Sequence, residues 1–320
     1  MSSESGASGA SSGDPSTDDR AAYDYQGGDV ARPGLVADLR SLIDGEVRFD
    51  EYSREQYATD ASIYAVTPVG VVFPTSTADV AAVVEYCADR GIAVLPRGAG
   101  TSLAGQTVNR AVVLDFSKHM DALLKVDADE RRARAQPGIT LGHLNAALAD
   151  ADLKFAPDPA WGDKSVLGGA IGNNSTGAHS LQYGKTDAYV EACEVVLADG
   201  TVTTFEQVPI DELDERADSA GDLEARIYAA VRDVLDDEAI ADAYPDLKRN
   251  VSGYNLDWLI ERAREDGVVD MPGLLAGSEG TLAVVTEAEI SLEPVPETKA
   301  LALLRYDDLL DAMEDVAPIL

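Results

Sequence analysis

The sequence predicts an α+β fold. A strand, a capped helix and a returning strand follow one another between Val69 and Pro96, and further strands then succeed each other without a helix between them. The first pattern is that of a right-handed parallel βαβ unit; the second departs from a doubly wound sheet. At 320 residues, 45% of them hydrophobic, the chain has material for a substantial core and exceeds the usual size of one domain.

Taken in order, Ser, Gly, Ala and Asp dominate residues 1–20, where burial cannot offset the entropy of ordering, and residues 1–22 are expected to form a disordered tail. Pro33 to Asp44 reads as a short helix with Leu35, Leu39 and Leu42 on one side. Asp50 to Thr59, polar and aromatic, is expected to wrap the surface. Gly70 to Pro74 is a buried strand. Ser76 and Thr77 open a helix bearing Val80, Val83, Val84 and Cys87, and Ala93 to Pro96 is the returning strand. Ala111–Asp115, Ala122–Val126 and Arg131–Gln136 are strands, and a helix after Thr140 aligns Leu141, Leu144 and Leu148. Glu191 to Ala198, the Asp199-Gly200 turn and Thr201 to Phe205 form a hairpin. Residues 206–249 read as an acidic, mostly helical insertion. Leu274 to Ala276 and Leu282 to Leu292 have strand character; Lys299 to Tyr306 reads as a strand and Asp307 to Val316 as a helix.

Lys and Arg number 25 against 58 Asp and Glu, a formal net charge of -33. That charge repels nucleic acid and anionic lipid, so no nucleic-acid partner is expected. Its even spread fits adaptation to concentrated salt, where screening is strong. The two cysteines, Cys87 and Cys193, build neither a disulfide framework nor a zinc or iron-sulfur site. His119, His143 and His179 are scattered, so no metal site is expected; His143 reads as a surface residue and His179 as a structural hydrogen-bonding group. No apolar stretch is long enough to span a bilayer. A cytoplasmic location is expected, with peripheral membrane docking through an electron-transfer partner left open.

Three glycine-rich loops concentrate the chemistry. The first runs Pro96-Arg97-Gly98-Ala99-Gly100-Thr101-Ser102, continuing to Gly105 and Gln106. Its glycines permit positive φ, so backbone amides can converge on phosphate oxygens, with Arg97 adding forked donors and Thr101 and Ser102 hydroxyls. It is neither a Gly-x-x-x-x-Gly-Lys loop nor Gly-x-Gly-x-x-Gly, and alone it fits a structural turn about as well as a phosphate site. The second spans Pro157 and Asp158, then Ser165 and Gly168-Gly169-Ala170-Ile171-Gly172-Asn173-Asn174-Ser175. It could open a helix whose amides, with Ser165, Asn173 and Asn174, meet a polar ring edge or a sugar, while Gly168 and Gly169 leave room for a flat ring. The third, Gly277-Ser278-Glu279-Gly280, sets a carboxylate where it could accept from a ribose or ribityl hydroxyl.

In this order the three loops resemble the FAD-binding domain of the vanillyl-alcohol oxidase and p-cresol methylhydroxylase type, from about Thr59 to Pro294. Their wording is most similar to the D-lactate dehydrogenase and glycolate oxidase flavoprotein group. The run Ile171 to Thr186 is similar to members fused to an iron-sulfur region, as in halophilic archaea. The resemblance implies a two-subdomain FAD-binding fold over residues 23–295, a small subdomain with the βαβ unit and a larger, mainly antiparallel sheet flanked by helices. Residues 296–320 would then begin a truncated cap domain.

It further implies that Pro96 to Gln106 hold the FAD pyrophosphate, that Pro157 to Ser175 flank the isoalloxazine and ribityl chain, and that Glu279, Gly280 and Val285 complete the site. Thr101 stands where some members bind FAD covalently through histidine, so noncovalent FAD is expected. The implied activity is oxidation of a D-2-hydroxy acid, such as D-lactate or glycolate, by hydride transfer to flavin N5, with an iron-sulfur or quinone-linked acceptor. Catalytic residues stay unassigned, because the group's histidines and arginine lie in the cap and C-terminal segment; a chain of this extent is expected to bind FAD and turn over poorly. The alternatives are a noncatalytic electron-transfer module and a flavoenzyme acting on an alcohol or ether-lipid precursor. Tyr254 resembles a residue of a substrate-side loop, and a packed tyrosine fits it equally.

Overall fold

The computed structural model describes residues 33–159, 161–245, 247, 250–298 and 300–319, so the expected tail lies outside the described residues. Its first sheet contains β1 (Glu46–Arg48), β2 (Gly70–Phe73), β3 (Val94–Arg97) and β4 (Val112–Asp115) in the order β1-β2-β4-β3. β2, β4 and β3 are parallel, and β1 is an antiparallel edge. The strands joined by the helix Thr77–Ala88 are therefore not neighbours. β4 inserts between them, with Val113 in register with both Val71 and Leu95. Ser76 caps that helix by accepting from the Asp79 amide, and its buried Val80, Val83, Val84 and Cys87 pack with Leu35 and Leu39 of the helix Pro33–Leu42.

The chain then forms β5 (Leu123–Asp127), β6 (Arg132–Ala135), the short β7 (Leu153–Lys154), β8 (Val190–Val196), β9 (Val202–Pro209), β10 (Val268–Asp270), β11 (Val284–Ser291) and β12 (Glu293–Pro294). Six of these make an antiparallel sheet in the order β10-β9-β8-β11-β6-β5, while β12 pairs with β7. Burial alternates along β11, as expected where one face meets the core and the other faces water. The buried face packs Ala288, Ile290, Cys193 and Phe205 with Leu144, Tyr228 and Leu259 from three covering helices. On the open face Arg132 and Arg134 pair with Glu289 and Glu287. The two sheets adhere: Val196 and Val284 belong to the small-sheet core, and the Thr77 hydroxyl donates to Glu194 Oε1 over 2.6 Å.

Two local expectations are corrected, and a third gains a helix. Leu274 to Ala276 is not a strand: the helix Met271–Leu275 covers most of it, started by Asp270, which accepts from the Gly273 amide, and by Pro272 in its first turn. Asp50 to Thr59 contains a helix, Glu51–Gln56, capped by Asp50. Residues 301–306 form no strand; Leu301 and Leu303 are exposed, and no neighbouring strand offers a ladder. Helices do follow at Leu309–Glu314 and Val316–Ile319, and the helices Leu213–Arg216, Leu223–Asp236 and Glu238–Ala243 fill most of the acidic stretch after β9. Among the described residues no helix is long and apolar enough to cross a membrane.

Candidate functional site: a cleft closed by three glycine loops

The first loop leaves the carboxyl end of β3, the end of a parallel sheet where ligands bind. Positive φ at Gly100 (66°) and Gly105 (86°) turns the chain back on itself. Arg97 braces this turn from behind. Its Nη1 donates to the carbonyls of Tyr57 (3.2 Å) and Thr107 (2.9 Å), and its Nη2 to that of Thr59 (2.8 Å). The Tyr57 ring lies 5.1 Å from the guanidinium, and its hydroxyl donates to Asp115. Burial and the adjacent Asp115 carboxylate both push the Tyr57 hydroxyl above its ordinary range, so it remains a donor. The Ala61 amide donates to Gly100 O at 3.0 Å and the Thr107 hydroxyl to Asp60 at 2.9 Å, so residues 57–61 underlie the whole loop. Read from sequence as a fork for phosphate, Arg97 has donors committed to three backbone carbonyls.

In the second loop the helix Leu167–Gly172 does not present all of its first amides to the cleft. Leu167 N–H donates to Ile139 O and Gly168 N–H to Pro137 O, because the loop is packed on residues 137–139. The paired glycines divide their tasks. A Cβ on Gly168 would lie 2.6 Å from Pro137 Cβ, so this glycine permits close packing; one on Gly169 would meet nothing nearer than Val166 Cγ2 at 3.5 Å. Asn173 is exposed beside the cleft, whereas the Asn174 side chain turns inward, donating to Asp187 Oδ2 and accepting from the Asp187 amide.

The third loop docks on the end of that helix, with Gly277 N–H donating to Ile171 O and Glu279 N–H to Gly172 O, both at 2.9 Å. Gly280, at φ 73°, passes so close to β3 that a Cβ would lie 2.4 Å from Pro96 Cγ. Gln106 then joins all three loops. Its Nε2 donates to Glu279 Oε1 at 3.3 Å and to Asn173 Oδ1 at 3.4 Å.

Two adjoining cavities lie between the loops. The inner is lined by Pro96, Arg97, Ser102, Gln106, Gly168, Gly169, Gly172, Asn173, Glu279, Gly280 and Val285 among the sequence-predicted residues. The outer is lined by Ala99, Gly100, Thr101, Ser102, Gln106, Ser165, Gly169, Asn173, Asn174 and Ser175. Gly98, Gly105, Pro157 and Asp158 line neither. A Cβ on Gly98 would lie 2.2 Å from Val166 Cγ2 and one on Gly105 2.7 Å from Tyr64; Pro157 is buried, and Asp158 meets His179 Nδ1 at 3.2 Å. Sequence reading missed Phe116, Pro137 and Leu275 in the inner wall and Val251 in the outer, whereas Ile171 and Trp161 fall within the stretch expected to flank the ring and ribityl chain. Phe116 and Pro137 directly follow or closely trail strands β4 and β6, a positional signal that was available.

The inner wall joins apolar side chains to bare glycine backbone, a surface suited to a flat ring; the outer wall includes the hydroxyl-bearing residues Thr101, Ser102, Ser175 and Thr176. The residues present therefore fit a dinucleotide with an aromatic ring and a polar, phosphorylated arm. No histidine lines either cavity. Burial pushes the thiol of Cys87 up to about 11 and that of Cys193 up to about 12, which leaves neither reactive. Among the described residues no group of His, Cys, Asp or Glu is placed to hold a metal ion.

Residues 68–206 match the family described as FAD binding domain. The chain is 31% identical over 301 residues to D-2-hydroxyglutarate dehydrogenase of Pantoea ananatis, covering 90% of this chain and 29% of that protein. It is 30% identical to glycolate oxidase subunit GlcD of Bacillus subtilis, covering 87% and 49%, and 30% identical to D-lactate dehydrogenase of Archaeoglobus fulgidus, covering 78% and 44%. The chain thus spans half or less of these relatives. Alkyldihydroxyacetonephosphate synthase has the same fold, with a TM-score of 0.58 at 21% identity over 83% of this chain and 41% of that one. Residues 68–206 thus match an FAD binding domain, and most of the chain is similar to D-2-hydroxyglutarate and D-lactate dehydrogenases and to glycolate oxidase subunit GlcD.

Proposed function

We propose that this chain binds FAD noncovalently between its three loops and serves the oxidation of a D-2-hydroxy acid, with electrons leaving to an iron-sulfur or quinone-linked acceptor. The observation that carries the reading is Gln106, which joins Asn173 and Glu279 and so places all three loops around one cleft. The names of the relatives support the substrate class, and D-2-hydroxyglutarate joins D-lactate and glycolate as a candidate.

When bound, FAD supplies the hydride acceptor at its N5. The chain's own part is binding and exclusion of water. Gly169 and Gly172 leave backbone bare beside a ring, while Phe116, Ile171, Leu275 and Val285 supply an apolar wall. Thr101 and Ser102 offer hydroxyls to phosphate oxygens, and Glu279 accepts from a ribose or ribityl hydroxyl. With threonine at position 101, this loop has no imidazole to bond the cofactor.

Substrate-dependent bleaching of the flavin absorbance tests the reading. Slow bleaching is expected with one or more of D-lactate, glycolate and D-2-hydroxyglutarate, in keeping with the poor turnover expected of this span. A flavin-loaded protein that no D-2-hydroxy acid bleaches contradicts the substrate class.

A further inference from the structure

We infer that Asp187 is a positioning residue that fixes two walls of the cleft at once. Asp187 is 2% exposed and lies in the turn Thr186–Tyr189, behind the second loop. Its Oδ2 accepts from Asn174 Nδ2 at 2.8 Å, from Asn255 Nδ2 at 3.0 Å and from Lys185 Nζ at 2.8 Å. Its own amide donates back to Asn174 Oδ1 at 3.0 Å.

The partners connect two stretches that border the cleft. Asn174 stands between Asn173 and Ser175, and all three line the outer cavity. Its φ of 44° lies in the left-handed region, which a non-glycine residue adopts at a cost, and the reciprocal pair of bonds from Asp187 holds it there. Asn255 ends the stretch 250–255, in which Val251 lines the outer cavity and Tyr254 shares a hydrogen bond of 3.0 Å with the Thr281 hydroxyl beside the third loop. Lys185 reaches the start of the same stretch, donating to Asn250 O at 3.0 Å. One carboxylate thereby couples residues 173–176 to residues 250–255.

The charge matters as well as the shape. All three side chains around Oδ2 are donors and one is cationic, so a neutral amide at 187 would leave the Lys185 ammonium without its counter-charge in a site largely closed to water. Asp270 provides a comparison that touches the Asp187 group through Gly273, whose carbonyl accepts from Asn255 Nδ2 at 3.1 Å. It is equally buried at 2%, yet its carboxylate accepts from Trp258 Nε1 and the Gly273 amide and approaches Arg262, none of which lines the inner or outer cavity.

The experiment compares Asp187→Asn with Asp270→Asn by amide hydrogen exchange of the cofactor-free protein, then by titration with FAD followed through flavin fluorescence. Asp187→Asn is expected to speed exchange at 173–176 and 250–255 together, about tenfold or more. Its FAD dissociation constant is expected to rise about 10- to 100-fold. Asp270→Asn is expected to lower the melting temperature comparably while leaving both segments and the FAD affinity within about twofold of wild type. An Asp187→Asn protein in which either segment keeps its wild-type exchange overturns the inference, as does an Asp270→Asn protein that loosens both equally. If Asp187→Asn does not fold, Lys185→Gln replaces it: faster exchange at 250–255 is expected, and unchanged exchange there overturns the coupling. The FAD readout alone rests on the function proposed above. A wild-type protein that takes up no FAD removes that function, while the exchange comparison still decides the role of Asp187.

Discussion

Gln106 reaches across the cleft to Glu279, its Nε2 donating to Oε1 over 3.3 Å between residues 173 positions apart in sequence. The bond is exposed, so its net contribution to folding is about 0.5–1 kcal/mol, and its consequence is the spacing of the loops. Gln106→Ala is expected to leave thermal unfolding nearly unchanged while weakening FAD about three- to tenfold in a fluorescence titration. Wild-type affinity in the variant contradicts a role for this tie.

Two glycines of the loops, one packed behind the cleft and one in its wall, are expected to fail in opposite ways. At Gly98 an added methyl meets Val166 Cγ2 at 2.2 Å, so Gly98→Ala is expected to cost about 1–3 kcal/mol in chemical denaturation. At Gly169 the nearest atom is 3.5 Å away, and alanine favours its helix by up to about 1 kcal/mol. Gly169→Ala is expected to keep its stability and bind FAD more weakly, because the methyl lies at the wall of both cavities.

Arg97→Lys is expected to behave as a loop-breaking change, although the charge is kept. An ammonium cannot reproduce three bonds to the carbonyls of Tyr57, Thr59 and Thr107 from one planar fork. Denaturant unfolding is expected to show a loss of about 2–3 kcal/mol. A lysine variant as stable as wild type would mean that the bracing is dispensable.

The acid limb of stability has a specific contributor at β1. Partial burial pushes the Glu46 carboxyl up, but hydrogen bonds from Lys118, Arg48 and His119 outweigh it and hold the group down to about 2 from an ordinary 4.5. A depressed folded value means stability that is present above the unfolded value and is lost as pH falls through the folded one. Glu46→Gln is expected to cost about 1 kcal/mol at neutral pH. It is also expected to flatten the loss of stability between pH 4.5 and 2, followed by urea unfolding across that range.

Local signals located much of this molecule, and non-local ones did not. Ser76 and Thr140 announce helices that the structure caps as expected, because a cap is a matter of three or four residues. The run Leu274 to Ala276 is too short to distinguish strand from helix by periodicity; Asp270 and Pro272 carried the deciding information. That β4 separates β2 from β3 depends on which edges meet in space, and no local pattern records it. The same holds within the cleft. Glycine spacing located all three loops, but Arg97 as a brace and the meeting of Asn174, Asp187 and Asn255 arise only once distant segments pack together.

Closure of three loops around one dinucleotide is open to direct measurement by titrating the purified protein with FAD in molar salt, with flavin fluorescence and visible absorbance recorded together. The expected result is saturable uptake of one FAD per chain, released on unfolding because no covalent bond holds it. A folded protein that stays colourless and leaves the flavin fluorescence unquenched contradicts that closure.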